Sequence, residues 1–133
     1  MKRLVTSFGI LVAVLAAAAP SATAAQATQT QQVMREKLAQ SERLLAALVT
    51  SNWAALDRHG RALEAVTNKP GWDVMRLPEF NKYTVAFRRA TQTLIAAAGK
   101  HDQRETLAAY NGLVASCVEC HGYVARARIA ESK

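Results

Sequence analysis

The chain has 133 residues, half of them hydrophobic, and a formal net charge of +7. That length fits one small domain. With six glycines, three prolines and abundant alanine, the composition favours packed helices over short strands joined by tight turns. The excess of positive charge is mild and spread along the chain, whereas nucleic-acid binding needs clustered basic residues, so we expect no nucleic-acid partner.

The N-terminus has the pattern of an export signal. Lys2 and Arg3 precede an apolar run that ends at Ala19, and a stretch of small residues follows. These are the three regions of a secretory signal peptide, which we predict over residues 1–25. A membrane anchor is the alternative, but the run is shorter than the roughly 20 residues that a spanning helix needs. The mature domain, 26–133, is then periplasmic, carries a net charge of +5 and has no stable membrane anchor.

Apolar periodicity predicts a first helix at about 29–49, after a polar start that we expect to be frayed. Its apolar stripe is Met34, Leu38, Ser41, Leu45 and Leu48. Thr50-Ser51-Asn52 then supplies capping oxygens just before a second helix. The stripe of that helix is Trp53, Leu56, Gly60, Leu63 and Val66. Because the break between the two helices is short, they should form an antiparallel hairpin.

Lys69-Pro70-Gly71 predicts a turn, since proline fixes one dihedral angle and glycine permits a positive φ. The loop that follows carries Trp72 and Met75. Pro78 fits the first position of a third helix, and Gly99 fits its end. The apolar stripe of this helix is Phe80, Tyr83, Phe87, Ala90, Leu94 and Ala97.

Asp102 and Glu105 have the spacing of a capping box, which predicts a fourth helix running to about Ile129. Its stripe is Leu107, Tyr110, Val114, Cys117, His121 and Val124. Four amphipathic helices without strand-like alternation predict an all-α fold, an antiparallel up-down-up-down four-helix bundle.

The segment Cys117-Val118-Glu119-Cys120-His121 matches the C-x-x-C-H pattern of c-type haem attachment. On a helix, residues three and four apart share a face, so both thiols and the imidazole project to one side. The thiols can bond the two vinyl-derived carbons of a haem while the imidazole reaches its iron. We therefore predict one covalent haem c on Cys117 and Cys120, with His121 as proximal iron ligand, inside the bundle.

Other interpretations of the two cysteines have less support from the sequence. A disulfide would close too short a loop to stabilise the fold much, and a thioredoxin-like site needs a βαβ setting. A structural zinc would need two more ligands, for which His59 and His101 lack matching spacing; we expect both on the surface. Since no general acid or base adjoins the motif and Glu119 points away from the inner stripe, we expect no enzymatic activity.

The late motif and the helices before it resemble the class II c-type cytochromes, the cytochrome c′ family, over about residues 30–130. The resemblance implies a periplasmic carrier that cycles between Fe(III) and Fe(II) and docks on a redox partner protein. The alternative within the family is a five-coordinate haem that binds small gases such as NO or CO. Family members often form homodimers through their first two helices, so a homodimer is one expected assembly.

In that family the first helix supplies the distal side of the iron. Here the resemblance offers Met34 as distal ligand, giving a six-coordinate carrier, or an open site lined by Leu38. Met34 as plain core is an equal alternative. Arg35 corresponds to the arginine near the propionates, although the usual spacing of four from it falls on Ala39. Lys37 is expected to be solvated, and Met75 is a weaker ligand candidate.

The turn after His121 departs from the family. A basic residue commonly stands four positions beyond the histidine, whereas this chain has Ala125, followed by Arg126 and Arg128, which fit solvated charges near a helix C-terminus equally well. Four aromatic side chains are candidates to line the haem or to fill the core: Trp53, Trp72, Phe87 and Tyr110.

Overall fold

The computed structural model describes residues 22–72 and 79–131. In that part the chain forms four α-helices and a short 3-10 helix, without a strand. The helices are α1 (Ala22–Val49), α2 (Trp53–Ala65), the 3-10 helix (Val66–Asn68), α3 (Phe80–Gly99) and α4 (Gln103–Glu131). The all-α prediction is confirmed, and the arrangement is consistent with a helical bundle.

Several sequence features lie outside the described residues. These are Met75, Pro78 and most of the predicted signal peptide, whose last residues, 22–25, form the start of α1. Among the described helices, none is both long and apolar enough to cross a membrane.

Helix α1 begins seven residues before the predicted start, and the polar segment 26–32 is helical rather than frayed. Most of the segment is exposed, although Thr30 is half-buried and Gln29 lies against Gly71. Its alanine and glutamine residues have good helix propensity, and the Thr28 and Thr30 hydroxyls donate to carbonyls one turn earlier, at 2.9 and 3.1 Å. Local bonding therefore carries the helix beyond its apolar stripe.

Two predicted helix starts are capped by side chains. Asn52 Oδ1 accepts from the backbone N–H of Ala55 at 3.1 Å, and Asp102 Oδ1 accepts from that of Glu105 at 2.9 Å. The second half of the capping box is absent, because the Glu105 carboxylate binds Lys100 Nζ at 2.6 Å instead. An ammonium donor makes a stronger, charge-assisted bond than a backbone amide.

The turn at Gly71 lies directly against α1. Gly71 has a φ of +94°, and a Cβ there would stand 2.7 Å from the carbonyl carbon of Gln29. Only glycine fits both the positive φ and this close approach. Trp72, directly after the turn, is buried and its indole N–H donates to Thr84 Oγ1 at 3.1 Å.

Helix α2 packs on α1 and α3, and α3 also packs on α4; the core lies between these pairs of helices. Helices α1 and α4 make few contacts with each other. The stripes predicted for α2 and α3 are confirmed in the core, apart from the half-buried Trp53, Tyr83 and Ala90. The largest fully enclosed apolar side chains are Leu44, Leu56, Leu63, Val66, Phe87, Leu94 and Leu113, with Phe87 at 2% exposure.

The stripes predicted for α1 and α4 are only partly buried. Leu38 and Leu45 are 59% and 47% exposed, and Leu107 and Val114 are also exposed. The buried faces of these helices run instead through Val33, Leu44 and Ala47 on α1, and through Thr106, Leu113 and Ser116 on α4. Each of these two helices packs on the core with a face next to the predicted one. Part of each predicted stripe therefore faces a gap between α1 and α4.

Gly60 lets α2 and α3 approach closely, since a Cβ there would stand 2.6 Å from Ile95 Cγ1. Gly60→Ala should therefore overpack this contact, which typically lowers the free energy of unfolding by about 1–3 kcal/mol. The better helix propensity of alanine offsets up to about 1 kcal/mol of that loss. Urea or thermal denaturation should show a net loss of stability.

The matched control is Gly112→Ala in α4, where a Cβ would meet nothing within 4 Å. This change should raise stability by about 0.5–1 kcal/mol, since alanine loses less backbone entropy in a helix. If both variants gained stability alike, tight α2–α3 packing at Gly60 would be contradicted.

Candidate functional site

A groove of about 770 Å³ opens between α1 and α4. Its walls are mostly apolar side chains that find no partner helix across the gap. From α1 the groove is lined among others by Met34, Arg35 and Leu38, and from α4 by Tyr110, Cys117 and His121. Two side-chain hydrogen bonds join α1 and α4 directly. The Tyr110 hydroxyl donates to the Ser41 carbonyl at 3.3 Å, and Gln103 Nε2 donates to the Leu48 carbonyl at 2.6 Å.

The C-x-x-C-H segment lies within α4, as predicted. Cys117 and Cys120 are free thiols and half-buried, and they form no disulfide. Cys117 and His121, four residues apart, both line the groove, and Cys120 lies between them along the helix. The structure therefore turns a thiol and the imidazole of the motif towards one large apolar space.

Met34, Arg35 and Leu38 all lie on the opposite wall of that groove. Met34 is half-buried and packs against the core, whereas Arg35 and Leu38 are exposed. Both candidates for the distal side of a haem, and the arginine proposed for its propionates, thus face the same space as His121.

Lys37 is buried, with only 6% of its surface exposed, so the prediction that it is solvated is wrong. Its Nζ lies 4.6 Å from the ring centroid of Phe87 and 5.5 Å from that of Trp72. The spacing in the sequence is consistent with this burial. Lys37 lies four residues after Val33 and seven before Leu44, and both of these are buried on the same face of α1. A charged residue within that stripe is unusual for a core position.

The electrostatics of the motif follow from burial and from Lys37. His121 is exposed overall, but partial burial of its ring lowers its pKa, and the Lys37 ammonium lowers it further. Burial also raises the pKa of Cys120, which the same ammonium opposes. Burial likewise raises the pKa of Tyr110. A histidine held neutral keeps a nitrogen lone pair for a metal ion.

The remaining aromatic candidates divide by position. Tyr110 lines the groove, and Phe87 and Trp72 pack against Lys37 at its inner side. Trp53 lies elsewhere and stacks on His101, with ring centroids 5.1 Å apart. The structure thus brings three of the four to the groove or its inner wall.

The other two histidines take no part in the groove. His101 is exposed, as predicted, whereas His59 is half-buried, with its Nδ1 2.9 Å from Gln40 Oε1. Within residues 22–72 and 79–131, no group of three or more His, Cys, Asp or Glu side chains is arranged to hold a metal ion. Glu119, Arg126 and Arg128 are exposed.

No protein-family model matches the chain, and no curated protein or solved structure shows significant similarity to it. The residues on the groove walls fit a haem nonetheless. A porphyrin supplies four iron ligands itself, so one protein imidazole with two nearby thiols is a sufficient set. The apolar walls suit its macrocycle, and Arg35 and Lys37 offer positive charge to its carboxylates.

Proposed function

We propose that the protein is a c-type cytochrome with one haem c, bonded through Cys117 and Cys120 and held in the groove between α1 and α4. His121 is the proximal iron ligand. The observation that carries this proposal is that Cys117 and His121 of the attachment motif stand on the wall of a large apolar groove. A solvated C-x-x-C-H segment would have no such space beside it.

The proposal includes an antiparallel up-down-up-down bundle of the cytochrome c′ kind. Hydrogen bonds between α1 and α4 support it, since Ser41 pairs with Tyr110 and Leu48 pairs with Gln103. Residue numbers therefore fall on α4 as they rise on α1, which is the pairing of antiparallel helices. The motif near the C-terminus then faces the first helix, where that family places its distal residue.

In this proposal the chain transfers electrons in the periplasm, and a bound haem would supply the Fe(III)/Fe(II) couple for it. His121 holds the iron and the groove walls exclude water from the macrocycle. Met34 would be the second protein ligand of the iron, since a thioether stabilises ferrous iron and raises the reduction potential. The net positive charge favours docking on an acidic redox partner protein.

One observation favours the second candidate, a gas-binding haem protein. Leu38 lines the same groove as Met34, on the same wall, and it is 59% exposed there. Leucine has no atom that ligates iron. If Leu38 rather than Met34 faces the iron, the distal position is open to NO or CO.

The visible spectrum of the full chain, purified from a host that attaches haem c, tests both candidates. Low-spin bands that change little on adding CO support the electron carrier. A high-spin spectrum with ready CO binding supports the gas-binding protein. A chain that carries no covalent haem in such a host overturns both.

A further inference from the structure

Lys37 is a buried lysine that forms no ion pair with a carboxylate of the described residues. The four ion pairs of the described residues all involve other lysines and arginines, and no hydrogen bond from Lys37 Nζ joins it to a described residue. Yet its side chain is only 6% exposed. Removing an ammonium from water without a counter-charge is unfavourable. An anion bound next to Lys37 Nζ would therefore stabilise this position.

The ammonium lies at the wall of the groove. Lys37 is one of the lining residues, and no fully enclosed side-chain nitrogen or oxygen of the described residues lacks a hydrogen-bond partner. Its Nζ therefore has access to the groove. The rings of Phe87 and Trp72 support it from the other side, at 4.6 and 5.5 Å. Such ring contacts orient a cation but do not neutralise it.

The groove offers this charge no suitable partner of its own. The single carboxylate among its described lining residues is that of Glu42, which is exposed. Glu42 stands five residues beyond Lys37, roughly 7.5 Å along the helix axis and on a different face. Among the described residues the ammonium thus has no counter-charge, and an anionic group on whatever fills the groove would supply one.

We propose that Lys37 receives a haem propionate inside the groove, and that its charge thereby raises the reduction potential of the iron. This inference rests on the proposed function. The propionates are the anionic groups that a haem carries, and a carboxylate bound to a buried ammonium no longer stabilises ferric iron as strongly. Lys37 lines the same groove as Cys117 and His121, so its charge lies close enough to influence the iron.

The test is the reduction potential of the haem-loaded full chain, measured by spectroelectrochemistry with Lys37→Met and Lys37→Gln. At a fixed applied potential, either variant should raise the ferric-to-ferrous ratio about tenfold, as expected for a charge acting across a partly buried site. For one electron this corresponds to a potential about 59 mV lower. Lys37→Arg, which keeps the charge, should stay close to wild type. The resonance Raman bands of the propionates should shift in the first two variants.

Lys82→Met is the matched control. Lys82 Nζ also lies over an aromatic ring, 5.7 Å from the centroid of Tyr83, but its side chain is 71% exposed and outside the haem groove. Removing this charge should change the ratio less than twofold, because solvent screens it. Asp73 follows Trp72 in the sequence and lies outside the described residues. Asp73→Asn should likewise leave the potential unchanged, because the proposed partner of Lys37 is a haem propionate and not a protein carboxylate.

Three results would overturn the inference while leaving the cytochrome proposal intact. The first is an unchanged reduction potential in both Lys37→Met and Lys37→Gln. The second is a shift of the potential in Asp73→Asn as large as the shift in those two variants. The third is the loss of the spectrum of an axial iron ligand when Lys37 is replaced, which would make the lysine itself that ligand. A wild-type chain without covalent haem would overturn the proposed function, and this inference with it.

Discussion

Replacing Cys117 and Cys120 together by serine is expected to abolish covalent haem attachment completely. Serine keeps the size and polarity of the side chain but cannot form the thioether. Any haem that still enters the groove should then be extracted by acid and organic solvent. Haem staining on a denaturing gel and the intact mass of the purified chain measure the loss directly.

Val118→Ser is the matched control for this pair, because Val118 lies between the cysteines and is exposed. It adds the same hydroxyl to the same turn of α4 and should leave attachment at the wild-type level. Each single cysteine variant should keep at most one thioether, with an absorption spectrum displaced towards that of a haem with a free vinyl group. A double variant that retained covalent haem would contradict the role of these thiols.

Met34→Ala is expected to change the iron from six-coordinate low-spin to five-coordinate high-spin. The distal thioether is lost, and alanine is too short to replace it. Since axial ligands set haem potentials over a range of about 0.8 V, the reduction potential should fall by an amount on the order of 0.1 V. Visible and electron paramagnetic resonance spectra, with a redox titration, measure both effects.

Leu38→Ala provides the comparison, since Leu38 lies on the same groove wall one helical turn away. If Met34 is the ligand, this variant keeps the low-spin spectrum and gains no CO binding. The opposite pattern, in which Met34→Ala leaves the spectrum unchanged and Leu38→Ala alters CO affinity, would contradict the carrier and support the gas-binding protein.

The sequence predicted α2 and α3 accurately, because their apolar stripes meet other helices on both sides. Leu56, Leu63, Phe87 and Leu94 recur at helical spacing and all enter the core. The helix starts at Asn52 and Asp102 were also readable, since a capping side chain acts on amides only three residues away. These features depend on local interactions or on uninterrupted periodicity.

The sequence was less informative for α1 and α4. Both helices carry apolar residues on more than one face, and periodicity alone does not tell which face meets a helix and which meets a groove. Leu38, Leu45 and Val114 were therefore expected in the core although they line the groove. The burial of Lys37 went unnoticed for the same reason, since its spacing from Val33 matters only once the orientation of α1 is known.

By itself, the sequence determined the C-x-x-C-H pattern, from Cys117 to His121, and the helical class of the fold, because both follow from spacing along one chain. The tertiary structure decided what stands around that motif. It placed Met34, Leu38 and Lys37 on the wall facing it and left an apolar space between the two helices. Those relations join residues about 80 positions apart, so they depend on how α1 and α4 are rotated in the fold, which no local pattern encodes.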